Sequence, residues 1–261
     1  MKECTYCGMV WKDSATVCKA CGTPLSAAMS ELVAKSNVKD MKMNAQADVI
    51  NICDAIEYIK KATVHIAVIG IGENNERVGE TGTGFFLRCA GKNFLVTNHH
   101  VIERALVGGM VTVHFPEEVH PKKDAFTAEV LASDKINDVA LLEVILPVPE
   151  KVTFLELADL TTLRQGEKVV TVGCPRHMKF NAVEGAVSNT CYEINPYSMN
   201  AILCTLQTTH GNSGGAIVRL RDGAVIGIAT AIFGEYLPGH TVCASADAIR
   251  QLIYAYARGG N

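Results

Sequence analysis

Apolar residues recur at two different spacings along this chain, and the change of spacing marks a change of structure. Between about residues 27 and 61 there is no Pro or Gly, and Ala, Met, Lys and Glu are frequent. Apolar positions in this segment follow one another at intervals of three or four, at Val49, Ile52, Cys53, Ile56 and Ile59. This pattern predicts a helical linker with one apolar face from about 47 to 60. We expect that face to dock on the domain that follows.

From about residue 62 the apolar residues form short runs, rich in Val, Ile, Thr and Phe and separated by Gly, Asn, Asp or Pro. Turn signals at intervals of about 8 to 12 residues are typical of an antiparallel barrel or sandwich. The clearest predicted strands are Thr63–Ile69, Gly84–Arg88, Phe94–Thr97, Val111–Phe115, Val139–Ile145, Lys168–Val172, Ile202–Leu206 and Ala224–Ala231.

The end of the chain returns to a helical spacing. Ser245 is a predicted helix N-cap, because a serine hydroxyl can accept a hydrogen bond from a free amide of the first turn. Before Gly259, one helical face would carry Ala248, Ile249, Leu252, Ile253 and Tyr256. The pattern as a whole predicts a mostly β domain that closes with a C-terminal helix.

Composition and charge exclude several classes of partner. Hydrophobic residues make up 48% of the chain and charged residues 20%, and the net charge is -3. Without a cluster of Lys and Arg, we expect neither a nucleic-acid surface nor a membrane patch. The first residues lack the apolar core of a signal peptide, and no apolar run approaches the roughly 18 residues of a membrane-spanning helix. These features predict a cytoplasmic protein.

Two Cys-x-x-Cys motifs, each followed by Gly, stand near the start of the chain. Each motif presents two thiolates to one ion, and two motifs complete the tetrahedral shell that Zn²⁺ prefers. We therefore predict a zinc ribbon over residues 1–26 that binds one structural Zn²⁺ ion and offers a surface to a protein partner. A pair of redox motifs is the alternative. The predicted ligands are Cys4, Cys7, Cys18 and Cys21.

The other six cysteines lie in apolar, mostly strand-like segments and are predicted to be small buried hydrophobic residues, not a disulfide framework. They are Cys53, Cys89, Cys174, Cys191, Cys204 and Cys243.

The strongest chemical signal is the segment Thr209–Ala216, with the sequence Thr-His-Gly-Asn-Ser-Gly-Gly-Ala. An acyl-transfer nucleophile needs an exposed hydroxyl next to backbone N–H groups that can bind an oxyanion. Ser213 is the predicted nucleophile, and the N–H groups of Gly211 and Ser213 are the predicted oxyanion hole. A serine in a structural glycine turn is the alternative.

Two further segments provide the partners that such a serine needs. The apolar run from Phe94 leads into His99 and His100, and Asp138 directly precedes the apolar run from Val139. Asp134 lies four residues before Asp138 and is its competitor. The chain order His, Asp, Ser is that of the chymotrypsin-like arrangement.

These segments resemble the trypsin-like domains of HtrA/Deg-type serine proteases. That family's patterns are Thr-Asn-x-His-Val, then Asp-[Ile/Val]-Ala-[Leu/Val], then Gly-Asn-Ser-Gly-Gly, and this chain matches them in order at 97–101, 138–141 and 211–215. Weaker likenesses lie at 82–85, 172–175, 183–188 and 241–245. The resemblance implies a chymotrypsin-like double β-barrel over residues 62–261, after the ribbon and a helical linker at 27–61.

The resemblance also assigns a role to each residue of the triad. His100 occupies the histidine position of the first pattern and would act as general base and then general acid, with His99 as a structural neighbour. Asp138 would orient the imidazole, and Ser213 would attack the peptide carbonyl. The implied activity is that of a serine endopeptidase that passes through an acyl-enzyme and needs no catalytic cofactor.

Specificity follows only from the resemblance. It implies Gln207 near the base of the primary pocket, Thr230, Ala231 and Ile232 along a wall, and His210 at the rim. Because this set contains no acidic residue, we expect cleavage after a small or medium apolar residue of a polypeptide substrate. The segments 70–81 and 235–240 would form mobile rims.

Several positions depart from related families. Val101 stands where secreted trypsins carry a disulfide-bonded Cys, and Asn212 stands where their zymogens carry the Asp that pairs with a new N-terminus. We expect no activation by N-terminal trimming and no PDZ module. Assembly into an oligomer is possible. The alternative function is a catalytically dormant scaffold with the protease fold, regulated through its ribbon. Nucleic-acid binding by the ribbon is a third, weaker hypothesis.

Overall fold

The computed structural model describes residues 2–3, 10–11, 51–71, 76–122, 124–175, 178, 180–192, 201–232 and 238–259. Contacts divide the chain into two units, Met1–Gln46 and Ala47–Asn261. In the first unit, strand β1 (Lys2–Glu3) pairs antiparallel with β2 (Val10–Trp11). The four predicted zinc ligands, and the predicted linker before Asn51, lie outside the described residues. The predicted domain boundaries therefore stay a prediction.

Helix α1 (Ile52–Ala62) opens the described part of the second unit. Asn51 caps it, because its side-chain oxygen accepts a hydrogen bond of 2.9 Å from Cys53 N. The buried face consists of Ala55, Ile59 and Ala62. The prediction that Cys53 belongs to this face is wrong, since its side chain is exposed. Each residue of a helix is rotated by about 100° from the one before it, so Cys53 points away from the face to which Ile52 belongs. Ala55 widens that face on the side opposite to Cys53.

The first barrel is closed, and its strands follow the order β3-β4-β5-β8-β7-β6 with every neighbouring pair antiparallel. Its strands are β3 (Thr63–Ile71), β4 (Arg77–Cys89), β5 (Lys92–Thr97), β6 (Met110–His114), β7 (Phe126–Asp134) and β8 (Val139–Val144). A short helix, α2 (His99–Ile102), follows β5.

The second barrel is also closed and antiparallel, in the order β10-β11-β14-β13-β12-β9. Its strands are β9 (Lys168–Gly173), β10 (Asn181–Tyr192), β11 (Ala201–Cys204), β12 (Ala216–Arg219), β13 (Ala224–Ile232) and β14 (Thr241–Ser245). The predicted chymotrypsin-like double barrel is thereby confirmed.

Three hydrophobic clusters explain why the sequences of several strands are continuous apolar runs. Along β8, Ala140 and Leu142 fill the first barrel, whereas Val139 and Leu141 face a cluster shared with the second barrel. Successive side chains of a strand point to opposite faces, so burial of both faces removes the polar alternation. The third cluster, which includes Ile226, fills the second barrel.

Helix α3 (Ala246–Gly259) closes the chain as predicted. Ser245 Oγ accepts a hydrogen bond of 3.3 Å from Ala248 N, which is the predicted N-cap. Ile249 and Ile253 are buried in the cluster between the barrels, and Tyr256 packs edge-on against Phe94. None of the helices in the described ranges has the length and apolar content that a membrane crossing requires.

Two sequence expectations are corrected. The predicted mobile rim at 70–81 is largely a hairpin, because β3 runs to Ile71 and pairs with β4 from Arg77; residues 72–75 lie outside the described set. Among the six scattered cysteines, Cys53 and Cys191 are exposed, contrary to the prediction of burial. The other four, which are buried or partly buried, are Cys89, Cys174, Cys204 and Cys243.

Candidate active site

His100 and Asp138 meet at the ends of neighbouring elements of the first barrel. The helix α2 begins directly after β5 and carries His100, and Asp138 stands directly before β8. Asp138 Oδ2 lies 2.7 Å from His100 Nδ1, and Asp138 Oδ1 accepts a 2.9 Å bond from His100 N. One carboxylate therefore orients both the ring and the backbone of the same histidine.

Asp134, the competitor of Asp138, stabilises a turn and makes its hydrogen bonds there. Asp134 Oδ1 accepts hydrogen bonds from Ile136 N at 2.9 Å and Asn137 N at 3.1 Å. Its other oxygen accepts a 2.5 Å bond from Asn137 Nδ2. Asp134 thus closes the turn between β7 and β8. That turn delivers Asp138 to its position in front of β8.

His99 points away from this pair. Its ring is buried, and its Nε2 lies 3.9 Å from Glu103 Oε1, one helical turn further along the chain. Because consecutive residues of a helix diverge by about 100°, only one of the two histidines can face Asp138. The structure brings His100 there.

Two residues to which the sequence analysis gave no such role support Asp138 across the two barrels. Asn98 Nδ2 donates to Asp138 O at 2.7 Å and to Thr230 Oγ1 at 3.0 Å. Thr230 Oγ1 also accepts a 3.3 Å bond from Ala244 N. Thr230, which the resemblance implied as a pocket wall, is therefore part of the support behind the acid. Asn98 lies within the Thr-Asn-x-His-Val pattern at 97–101, and this position was the signal in the sequence that could have identified it.

The environment of His100 favours its protonated form. Partial burial of the ring opposes a positive charge, but the hydrogen bond and the negative charge of Asp138 outweigh it. Glu80 and Glu103 add attraction from further away, and the pKa of His100 is raised above its usual value. A raised pKa makes the imidazole a stronger base.

Ser213 lies in a loop of the second barrel that reaches the first. Ser213 O accepts a 2.8 Å hydrogen bond from Thr83 N in β4. A Cβ atom added at Gly82 would lie 3.1 Å from Ser213 O and 2.7 Å from Val101 Cγ1. The glycine thus leaves room for the Ser213 loop to approach the short helix that carries His100.

The turn before Ser213 has a defined class. Asn212 N donates to Thr209 O at 3.0 Å, and Gly211, the third residue of the turn, has a φ of 96°. A β-turn with positive φ at its third residue alone is type II, and glycine adopts it without steric cost.

The amides of residues 211–215 differ in whether a backbone carbonyl accepts a hydrogen bond from them. Three amides have acceptors: Asn212 N binds Thr209 O, Gly214 N binds Ala229 O at 2.9 Å, and Gly215 N binds Asn212 O at 2.9 Å. Within the described part of the chain, the amides of Gly211 and Ser213 have no such acceptor. These two N–H groups are the predicted oxyanion hole, and no backbone carbonyl of the described residues occupies them.

The residues implied for specificity lie on a more open surface. Gln207 and His210 are exposed, as is Ala231. Gln207 lies near Gly239, at the end of the segment that precedes β14. Ile232 belongs to β13, but its side chain is outside the described set. In the described ranges, no group of three or more His, Cys, Asp or Glu side chains is placed to hold a metal ion.

Comparisons with known proteins point to one family. The model of the trypsin-like peptidase domain matches residues 82–228. The chain is 32% identical over 166 residues to the periplasmic serine endoprotease DegP of Salmonella typhimurium, covering 62% of this chain and 32% of that protein. It is 30% identical over 209 residues to the serine protease HTRA1A of Danio rerio, covering 77% and 40%.

A third relative is the serine protease Do-like HtrB of Bacillus subtilis, 30% identical over 199 residues that cover 68% of this chain and 41% of the relative. The chain therefore spans about a third to two fifths of the length of these curated relatives. The matched region contains His100, Asp138 and Ser213.

Proposed function

Because this chain belongs to the trypsin-like peptidase family, we propose that it is an HtrA-type serine endopeptidase with His100, Asp138 and Ser213 as its catalytic triad. One observation carries the proposal: within residues 211–215, which contain the predicted nucleophile, the amides of Gly211 and Ser213 are the two without an acceptor among the described residues. The 2.7 Å contact between His100 and Asp138 supports it independently.

Family membership and the 2.7 Å contact between His100 and Asp138 support acyl transfer through Ser213. His100 takes the hydroxyl proton of Ser213 as Oγ attacks the peptide carbonyl, and the carbonyl oxygen becomes an oxyanion held by the N–H groups of Gly211 and Ser213. The C–N bond then breaks, His100 gives its proton to the leaving amine, and an acyl-enzyme remains. Water, deprotonated by His100, hydrolyses the ester and restores Ser213.

Cleavage after a small or medium apolar residue is the specificity that we propose. None of Gln207, Thr230, Ala231 or Ile232 carries a charge that would pair with Arg or Lys of a substrate. The substrate class is a polypeptide, by analogy with the protease relatives. A peptide library cleaved by the full chain and sequenced by mass spectrometry would test this specificity.

For the first unit we propose a zinc ribbon with Cys4, Cys7, Cys18 and Cys21 as ligands of one structural Zn²⁺ ion. The motif spacing supports it, and so does the antiparallel pairing of β1 and β2, which flank the first two of these cysteines. A protein partner at this ribbon and assembly into an oligomer belong to the same proposal. The cytoplasmic location stays a prediction.

A serine-reactive probe tests the triad. We expect a fluorophosphonate to label Ser213 of the full chain, because the ring of His100 activates its hydroxyl. Labelling and casein hydrolysis should both be lost in His100→Ala, whereas the matched change His99→Ala should leave labelling in place. A folded chain that neither reacts with the probe nor degrades casein would favour the dormant scaffold.

A further inference from the structure

Thr83 binds the loop of Ser213 twice, from the opposite barrel. Its hydroxyl donates to Gly211 O at 2.7 Å, and its backbone N–H donates to Ser213 O at 2.8 Å. Thr83 belongs to β4 of the first barrel and is fully buried, while the loop belongs to the second barrel. The two carbonyls belong to Gly211 and Ser213, which are also the two loop residues whose amides lack an acceptor in the described part of the chain.

These contacts fix the two peptide planes that directly follow the amides of Gly211 and Ser213. The plane between Gly211 and Asn212 is held at its carbonyl by Thr83 Oγ1 and at its N–H by Thr209 O. The plane between Ser213 and Gly214 is held at its carbonyl by Thr83 N and at its N–H by Ala229 O. Thr83 thus supplies one of the two anchors of each plane.

The hydroxyl of Thr83 has little freedom to bind elsewhere. Its oxygen accepts a 2.9 Å bond from Cys174 N, so its single proton is left to bind Gly211 O. The β-branched side chain restricts the χ1 angle. Thr97 Oγ1 donates to Thr83 O at 2.7 Å, three residues before His100. The same residue is therefore tied to the strand that leads to His100.

We propose that Thr83 is a positioning residue for the oxyanion hole, a role that rests on the proposed protease function. Through Gly211 O and Ser213 O it holds the two free N–H groups in one arrangement that is ready for an oxyanion. Glycine at position 211 is conformationally permissive, so the turn does not fix this arrangement alone. Without the hydroxyl, Gly211 O and Cys174 N both lose a buried partner, and the loop moves to satisfy them.

The test compares Thr83→Val, which keeps the shape and removes the hydroxyl, with Thr83→Ser, which keeps the hydroxyl. Hydrolysis of an activated ester and of labelled casein by the full chain gives kcat and KM. We expect Thr83→Val to lower kcat about 10- to 100-fold, below the roughly 10²- to 10³-fold cost of losing a whole oxyanion donor. KM should change by less than about 3-fold, because the hydrogen bonds from the amides of Gly211 and Ser213 to the oxyanion form in the transition state and not in the bound substrate.

Thr63→Val is the matched control. Thr63 is also fully buried in the first barrel, and its hydroxyl donates to the backbone carbonyl of Ile59 at 2.8 Å, as part of the junction between α1 and β3. We expect this variant to lose stability and keep kcat within about 2-fold, since a general loss of a buried hydroxyl does not affect transition-state binding. Thr83→Ser should keep kcat within about 3-fold of the unmodified chain. Thr83→Ala provides the hydroxyl-free variant if Thr83→Val does not fold.

Two results would overturn the proposal. One is a folded Thr83→Val or Thr83→Ala chain with kcat within about 3-fold of the original; the other is Thr83→Ser losing as much activity as Thr83→Val. If the unmodified chain has no activity and no probe labelling, the protease function is rejected. The positioning role is then decided by crystal structures of the variants, where an unmoved Gly211 peptide refutes it.

Discussion

At the scale of single residues, the proposed active-site acid adopts an uncommon backbone conformation. Asp138 has a φ of 53°, in the left-handed region that Asp and Asn tolerate better than other residues with a side chain. In this conformation both of its carboxylate oxygens reach His100, and its own carbonyl accepts from Asn98. The unusual φ is therefore part of what brings the acid to the histidine.

We expect Asp138→Asn to lower kcat by about 10⁴-fold while the fold persists. Asparagine tolerates the same backbone conformation, but its amide can donate to His100 Nδ1 and so leave the ring proton on Nε2. That nitrogen can then no longer accept the proton of Ser213. Steady-state kinetics with circular dichroism measures both effects, and a variant with near-normal kcat would exclude Asp138 from the triad. Asp134→Asn serves as the comparison.

The raised pKa of His100 predicts the pH dependence of activity. General-base catalysis needs the neutral ring, so kcat/KM should rise with pH through a pKa above the usual value for histidine. In Asp138→Asn this limb should move to lower pH, because the carboxylate that favours the proton is gone. An unchanged limb in the variant would show that another group controls it.

The same shift affects stability with the opposite sign. The folded state binds the proton of His100 more tightly than the unfolded state does. Protonated His100 therefore stabilises the fold, and this contribution is complete below the usual histidine pKa. It is lost as pH rises through the raised pKa. Activity therefore increases over the range in which this contribution to stability declines.

At the scale of elements, α1 is built into the protease unit. Its buried face shares a hydrophobic cluster with residues of both barrels and of α3, among them Phe85, Val170 and Ile249. At its end, Thr63 binds Ile59 O and begins β3 without an intervening loop. The helix thus connects to the barrel by packing and by hydrogen bonding, as the apolar face in the sequence led us to expect.

We expect Ile59→Ala to lower the free energy of unfolding by about 2 to 5 kcal/mol, because it removes buried methyl groups and leaves a cavity in that cluster. Urea unfolding of the full chain measures the change. Glu57→Ala, on the exposed face of the same helix, is the control and should stay within about 0.5 kcal/mol. Equal stabilities for the two variants would mean that α1 does not support the unit.

At the scale of the whole protease unit, the site depends on the meeting of two barrels. The first barrel provides His100, Asp138 and Thr83, and the second provides Ser213 together with Thr230 behind the acid. Hydrogen bonds therefore tie the two halves together at the same place where the chemistry is proposed. Neither barrel alone contains all three residues of the proposed triad.

The proposed zinc ribbon gives a prediction for the full chain. We expect one Zn²⁺ ion per chain by elemental analysis, and its loss in Cys18→Ser, because a structural site needs all four thiolates. Cys53→Ser, which changes an exposed thiol outside the ribbon, should retain the metal. Probe labelling of Ser213 should persist without zinc, since the proposed ligands lie in the other unit. Labelling that disappears with the metal would contradict a purely structural ion.

The sequence by itself determined the class of elements and indicated the chemistry that we propose. Alternating and two-sided apolar runs predicted the strands, the spacing after Ser245 predicted the last helix, and short motifs singled out His100, Asp138 and Ser213. Each of these signals is local, because it depends on residues that are neighbours in the chain. The exposed Cys53 shows the limit of such reasoning, since a helical face is defined by what packs against it.

Only the tertiary structure decided how the site is held. The hydrogen bonds from Thr83 to Gly211 and from Asn98 to Thr230 join residues more than a hundred positions apart. The spacing of residues along the chain does not predict such pairs, because they form only when the barrels close and pack on each other. Long-range contacts also hold the Ser213 loop: Thr83 binds the carbonyls of Gly211 and Ser213, and Ala229 O accepts a hydrogen bond from Gly214 N. Local sequence therefore selects the groups that we propose to react, and long-range packing sets their positions.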